Sequence, residues 1–257
     1  MQVRWVTAFI DRPAAGFDDT RRFWQTVTGT SMSPSRGEFA EFATFVPTDG
    51  DACLRIQRVQ DGPGGSHLDL HVDDIRAAAD EAIAHGAEQI AELDGVVVLR
   101  SPGGLVFCCV AHHGESTVPK PVGTDGERSV VDQVSIDVAA DRYDAEYDFF
   151  GAYLGWERND GWSDEFRALA RPTGSPFRLL FQRRDPDDSG LDETCHLDIA
   201  CDDIAVTERA HVALGATVMA RRRWTVMADP SGIEYCLTPR DPDTGLPSGP
   251  PPSRCRS

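Results

Sequence analysis

The chain has 257 residues, enough for one large domain or two of ordinary size, and its 40% hydrophobic content is that of a folded globular protein. Its net charge of −17, from 42 acidic against 25 basic residues, creates a field that repels phosphate backbones and anionic lipid. Nucleic acid and membrane surfaces are therefore not expected partners, no apolar run reaches the roughly 18 residues of a membrane span, and the opening MQVRWVTAFIDRP lacks a signal peptide's apolar core. A cytoplasmic location is the expectation.

In chain order, VRWVTAFI (3–10) is apolar enough for a buried strand, and Phe17, Trp24 and Val27 then recur at helical spacing up to Gly29. Strands are predicted over 38–46 and 52–59. Residues 67–72 form another, with leucines on alternate positions. Asp73 or Asp74 can cap the next helix, which buries Ile75, Ala79, Ala82 and Ile83 and ends at Gly86. Strands near 88–91, 96–100 and 105–111 follow.

The same order then returns. Val134, Ile136 and Val138 alternate on a strand, and Tyr143, Tyr147, Phe150 and Leu154 make a helical stripe before Gly155. Strands near 165–170, 177–183 and 196–201 lead to a helix carrying Val206, Ala210, Ala213 and Leu214. Strands near 217–221, 223–228 and 233–238 complete the copy.

The repetition is also literal. HLDLHVDDIRAAADEAIAHGA (67–87) matches HLDIACDDIAVTERAHVALGA (196–216) at nine of 21 positions without a gap. SPGGLVFC (101–108) matches DPSGIEYC (229–236), and FWQTVTGT (23–30) answers FFGAYLGW (149–156). Three matches in one order, at offsets of 126 to 129, mean a duplicated domain. The predicted division is domain one over 1–113, a Gly- and Pro-rich linker over 114–128, domain two over 129–239, and a disordered Pro/Gly-rich tail over 240–257. Mixed strand and helix order implies an α+β architecture.

The seven cysteines, at 53, 108, 109, 195, 201, 236 and 255, are odd in number and form no Cys-x-x-Cys pair, so they read as structural thiols. No dinucleotide, P-loop or nucleophile-elbow motif is present. SPGG precedes a strand and reads as a hairpin turn, Arg221–Arg223 as an exposed strand edge, and Trp162 or Trp224 as core, rim or a stacking surface.

The βαβββ order, with HLDLHVDD and HLDIACDD opening each second half and with ADPSGIEYCL and FFGAYLGWE, resembles the vicinal oxygen chelate superfamily. More narrowly it is similar to the glyoxalase-like domains of bacterial proteins, over residues 1–112 and 130–239. The resemblance implies two tandem domains, each of two βαβββ modules forming a cupped mixed sheet around a cavity. Strand alternation then turns His67, Asp69 and His71 of copy one, and His196 and Asp198 of copy two, toward the cavities. Val106 with Cys108, and Glu234 with Cys236, should share the inward face of the last strands.

Metal-dependent relatives of this kind use four ligand positions. The fifth-strand position is filled by His67 and His196, but the eighth carries Cys108 and Cys236 in place of a carboxylate. The fourth falls near Gln57 and Gln182, and the first near Trp5–Thr7 and Gln133. The expectation is accordingly no metal cofactor, with a single divalent ion at His67, His71 or His196 as the alternative. Copy one offers His67, Asp69 and His71 on one strand face, with bases roughly 6.5–7 Å apart, whereas copy two has Ala200 in place of His71.

Three functions stay open. The first is a protein that binds a small organic molecule without a metal, the acidic charge suiting a cationic one, through His67, Asp69, His71, Gln57, Cys108, Gln133, Gln182, His196, Asp198, Trp224, Glu234 and Cys236. The second is a lyase, isomerase or dioxygenase with Asp198 or Glu234 as base and His196 as acid or ligand. The third is a non-catalytic structural or interaction protein. A monomer or homodimer suits any of them.

Overall fold

The computed structural model describes residues 2–185 and 194–248, with the side chains of 160–162 excepted. Domain one runs β1 (Val3–Pro13), α1 (Phe17–Val27), β2 (Ser31–Met32), β3 (Phe42–Val46), β4 (Leu54–Val59), β5 (Gly65–Val72), α2 (Ile75–Ala84), β6 (Glu88–Leu93), β7 (Val96–Arg100) and β8 (Val106–Ala111). Domain two repeats it as β9 (Ser129–Val138), α3 (Tyr143–Leu154), β10 (Arg158–Ser163), β11 (Phe166–Leu169), β12 (Arg178–Arg183), β13 (Thr194–Cys201), α4 (Ile204–Ala213), β14 (Thr217–Arg221), β15 (Thr225–Ala228) and β16 (Glu234–Thr238).

Each copy builds its own eight-stranded sheet, in the orders β2-β3-β4-β1-β5-β8-β7-β6 and β10-β11-β12-β9-β13-β16-β15-β14. The opening strands of the two modules, β1 with β5 and β9 with β13, meet antiparallel at the centre. The closing strands pack outside them in parallel. Two short strands escape the apolar pattern. β2 has only two residues, and β10 reads RNDGWS, without alternating hydrophobic positions.

The strand period sorts the side chains. Leu68, Leu70 and Val72 of β5 are buried in the core with Ala78, Ala79 and Ala82 of α2, which leaves the other face of β5 to the cavity. Asp74 caps α2 by accepting from the Ala77 N–H at 3.0 Å, and Asp203 caps α4 through Ala205 and Val206. Both helices exit through a glycine at positive φ, Gly86 at 107° and Gly215 at 103°, a conformation that disfavours side chains.

The two domains clasp each other through their 101–104 and 229–232 turns. Arg12 of β1 forms a fully buried ion pair with Asp229 at 2.7 Å, and the Trp24 indole N–H donates to the same carboxylate at 3.0 Å. Reciprocally, Glu146 of α3 accepts from the Ser101 hydroxyl at 2.6 Å and the Gly103 N–H at 2.7 Å. Aromatic rings repeat the exchange: Phe23 and Trp24 pack on Tyr235, while Phe149, Phe150 and Tyr153 pack on Phe107. Of the segment read as a tail, residues 240–248 form turns against domain two, with Arg240 buried and paired to Asp132. Its remainder, with Cys255, lies outside the described residues.

Candidate functional site

Each sheet curls around a cavity. The first cup has a volume of about 790 Å³ and is lined by Phe9, Asp11, Arg55, Gln57, His67, Asp69, His71 and Cys108 among others. The second is tighter, about 100 Å³, and is lined by Gln133, Ser135, Arg178, Gln182, His196, Asp198, Trp224 and Cys236 among others. Glu234 shares the strand of Cys236 but stands exposed at its start, outside that lining.

Parallel pairing of the fifth and eighth strands does what the sequence alone does not display. It sets Asp69 directly across from Cys108, and Asp198 across from Cys236. With the histidine two residues upstream, each cup gathers one imidazole, one carboxylate and one thiol whose ligand atoms all lie within 4.8 Å of one another. In the second cup, His196 Nε2 is 3.4 Å from Asp198 Oδ1 and 3.6 Å from Cys236 Sγ. In the first, His67 Nε2 is 3.9 Å from Asp69 Oδ1.

Behind each imidazole stands a second carboxylate. Asp137 Oδ2 is 2.8 Å from His196 Nδ1, and Asp11 Oδ2 is 2.5 Å from His67 Nδ1. A partner on Nδ1 fixes the tautomer and aims Nε2 at the cluster, the usual outer-shell arrangement of a metal-binding histidine. Neither aspartate was singled out above. The signal was present: Ile10-Asp11 and Ile136-Asp137 stand 126 residues apart, the offset of the first-helix match.

The expectation of no metal cofactor is corrected by this geometry. Counting ligands one strand at a time gave a lone histidine and a thiol, and it left out the aspartate that the parallel register places between them. The donor set also fits an ion on one further observation: Asp198 Oδ1 is buried and makes no well-aligned hydrogen bond, meeting the imidazole Nε2 only as an ion-pair contact at 3.4 Å. A buried acceptor left unpaired is costly unless something completes it. His71 joins neither cluster. Its Nε2 lies 2.8 Å from the Thr7 hydroxyl and its Nδ1 is 3.5 Å from Glu115, and burial lowers its pKa to about 4.

Charge differs between the clusters. Burial works against ionisation of both histidines, yet Asp11 raises His67 and Asp137 raises His196 well above the ordinary value. Burial raises Asp69. For Asp198 burial is outweighed by His196, Arg240 and the Ser135 hydroxyl, which donates at 2.9 Å, and the pKa is lowered. Gln133 donates from Nε2 to Asp198 Oδ2 and accepts from Arg178 Nε on Oε1. Gln182 donates to Glu165 at 3.2 Å. Trp224 meets Phe166 edge-on at 5.6 Å.

The chain belongs to the glyoxalase-like domain family, whose model matches residues 7–110 and again 133–238. No curated protein matches it. Among solved structures it is similar to the Mn(II)-bound glyoxalase from Novosphingobium aromaticivorans, at 18% identity and a TM-score of 0.61 over 98% of this chain and 87% of that one. A catechol 2,3-dioxygenase superposes with a TM-score of 0.62 at 14% identity, over 98% and 91%. The 2,2',3-trihydroxybiphenyl 1,2-dioxygenase from Sphingomonas wittichii gives 0.61 at 14%, over 98% and 99%. At these identities the likeness establishes the vicinal oxygen chelate fold, in two tandem copies.

Proposed function

We propose that the protein holds a divalent metal ion at His196, Asp198 and Cys236, and at His67, Asp69 and Cys108, each beneath a cup that receives a small organic molecule. The observation that carries this reading is the twice-built cluster with a carboxylate behind its imidazole. A mixed nitrogen, oxygen and sulfur set favours zinc and its neighbours over magnesium or calcium. Three protein ligands leave a further position open, as catalytic rather than structural zinc sites do.

Bound there, a divalent ion would polarise a ligand oxygen and acidify a coordinated water. The chain's own residues do the rest. Asp137 fixes the His196 tautomer, while Ser135 and Gln133 hold Asp198 by Oδ2 and leave Oδ1 to face the cluster. The two-histidine, one-carboxylate triad of non-haem iron oxygenases is formed in neither cup among the described residues, which favours lyase or isomerase chemistry over dioxygen chemistry. The 790 Å³ first cup has the volume of an ordinary small-molecule site. Six buried free cysteines among the described residues suit a reducing, cytoplasmic setting, and no described helix is long and apolar enough to cross a membrane.

The test is metal content. Chelator-treated protein titrated with zinc, cobalt and manganese is expected to take up close to one ion per cup, and Asp198→Asn with Cys236→Ser should abolish uptake in the second. No stoichiometric uptake, or uptake that survives His67→Ala with His196→Ala, overturns the proposal.

A further inference from the structure

The second cup is cationic in a protein whose net charge is −17. Arg178, Arg223 and Arg240 line it against a single carboxylate, Asp198, whereas Arg36 and Arg55 of the first cup face Asp11, Asp69 and Asp94. Arg240 is neutralised by its buried pair with Asp132. Arg178 is not. Its only hydrogen bond among the described residues runs from Nε to Gln133, which leaves both terminal nitrogens unpaired. Burial and the neighbouring Arg240 lower its pKa to about 10, so the site holds a guanidinium at a cost that an incoming anion would offset.

The remaining wall is apolar and flat, formed by the Trp224–Phe166 corner with Leu180, Pro239 and Pro247. The cup's volume of about 100 Å³ is below the roughly 150 Å³ that encloses one benzene ring, which limits a ligand to a single small planar group. We infer that the second cup binds a small organic anion, a carboxylate carried on one planar apolar group, with Arg178 pairing to the carboxylate and Trp224 covering the plane. This replaces the cationic ligand expected from overall charge, and it rests on reading the cup as a small-molecule site. A guanidinium fork matches a carboxylate with two parallel hydrogen bonds. Gln133, which bridges Arg178 to Asp198, would tie the bound anion to the metal cluster.

Calorimetry on the full chain with benzoate and with its neutral counterpart benzamide tests the inference, in chelator-treated and in zinc-loaded protein. Benzoate is expected to bind at least tenfold tighter than benzamide in both preparations. Arg178→Gln should weaken benzoate by about 10- to 100-fold, the loss of a charge-assisted contact. Arg178→Lys, which keeps the charge if the glutamine variant fails to fold, should lie between. Trp224→Ala should weaken both compounds, and Arg209→Gln, on the exposed face of α4, neither.

Equal binding of the two compounds, or benzoate binding unchanged in Arg178→Gln, overturns the inference. So does loss in Arg178→Gln with none in Trp224→Ala, because Arg178 also borders a neighbouring cavity beside Arg171 and Gly245. Zinc uptake without benzoate binding sinks this inference alone; Arg178-dependent benzoate binding without zinc uptake sinks the metal proposal alone.

Discussion

The two cups carry the same three candidate ligands on the same strands and differ in what stands across from them. Opposite His67 is Phe9, stacked on the imidazole at 4.4 Å; opposite His196 is Ser135, which donates to Asp198. Opposite Asp69 is Thr7, committed to His71, whereas opposite Asp198 is Gln133. Burial raises the pKa of Asp69, whereas for Asp198 burial is outweighed by His196 and Arg240, with the Ser135 hydroxyl adding to them. The strands bearing the cluster decide where an ion would sit, and the groups around them, Arg240 and Ser135 in the second cup, bear on the charge it would meet.

The same divergence runs through the clasp between the domains, and breaking it should produce the largest effects. Asp229 of one turn is held by a cation, Arg12, whereas Ser101 and Gly103 of the other are held by an anion, Glu146, with Arg142 added on the Gly103 carbonyl. Asp229→Ala strands a guanidinium that is 2% exposed and should cost about 3–5 kcal/mol in denaturant unfolding. Glu146→Gln keeps the shape, removes the charge and turns one of two acceptors into a donor facing Ser101 or Gly103, so about 1.5–3 kcal/mol is expected. Equal costs would mean that the two halves of the clasp are energetically alike.

A second contrast is in pH. His211 of α4, hydrogen-bonded to Tyr235 and edge-on to Phe23 of the other domain, occupies the position that Ala82 holds in α2. Burial lowers its pKa from 6.5 to about 4, so folding favours the neutral ring. The unfolded chain binds the proton more readily. Stability from this residue is therefore complete above about pH 6.5 and is lost as pH falls toward 4. At about 1.4 kcal/mol per pKa unit the loss reaches about 3 kcal/mol. The gap between urea midpoints at pH 7 and pH 4 should narrow in His211→Ala, with His71, whose pKa burial also lowers to about 4, keeping its own share; an unchanged gap would assign the acid sensitivity elsewhere.

The smallest effect sharpens the cup comparison itself. Asp137→Ala should weaken metal binding in the second cup alone, and Asp11→Ala in the first alone, each by about 10- to 100-fold in a zinc titration. Weakening of both cups by either change would show that they do not act separately.

Much of this was legible in the chain. The alternation Leu68, Leu70, Val72 separates core from cavity without coordinates, and the paired HLD segments announce the duplication. The pairing of Asp69 with Cys108 was not, because 38 residues, with a helix and two strands, separate them and periodicity carries no register between parallel strands. Arg178 was missed for a related reason. It stands two residues off the position of Arg55 in the repeat, so its place beside Gln133 follows only from the β9–β12 pairing. β10 lacks an apolar pattern, since it is an edge strand paired on one side only.

The reciprocal grip of each hairpin by the opposite domain has the symmetry of a twofold dimer written into one polypeptide. Nicking the chain between residues 114 and 128 should therefore not release two soluble halves. The pieces ought to stay together or find each other again, because each carries the aromatic socket that the other's turn requires.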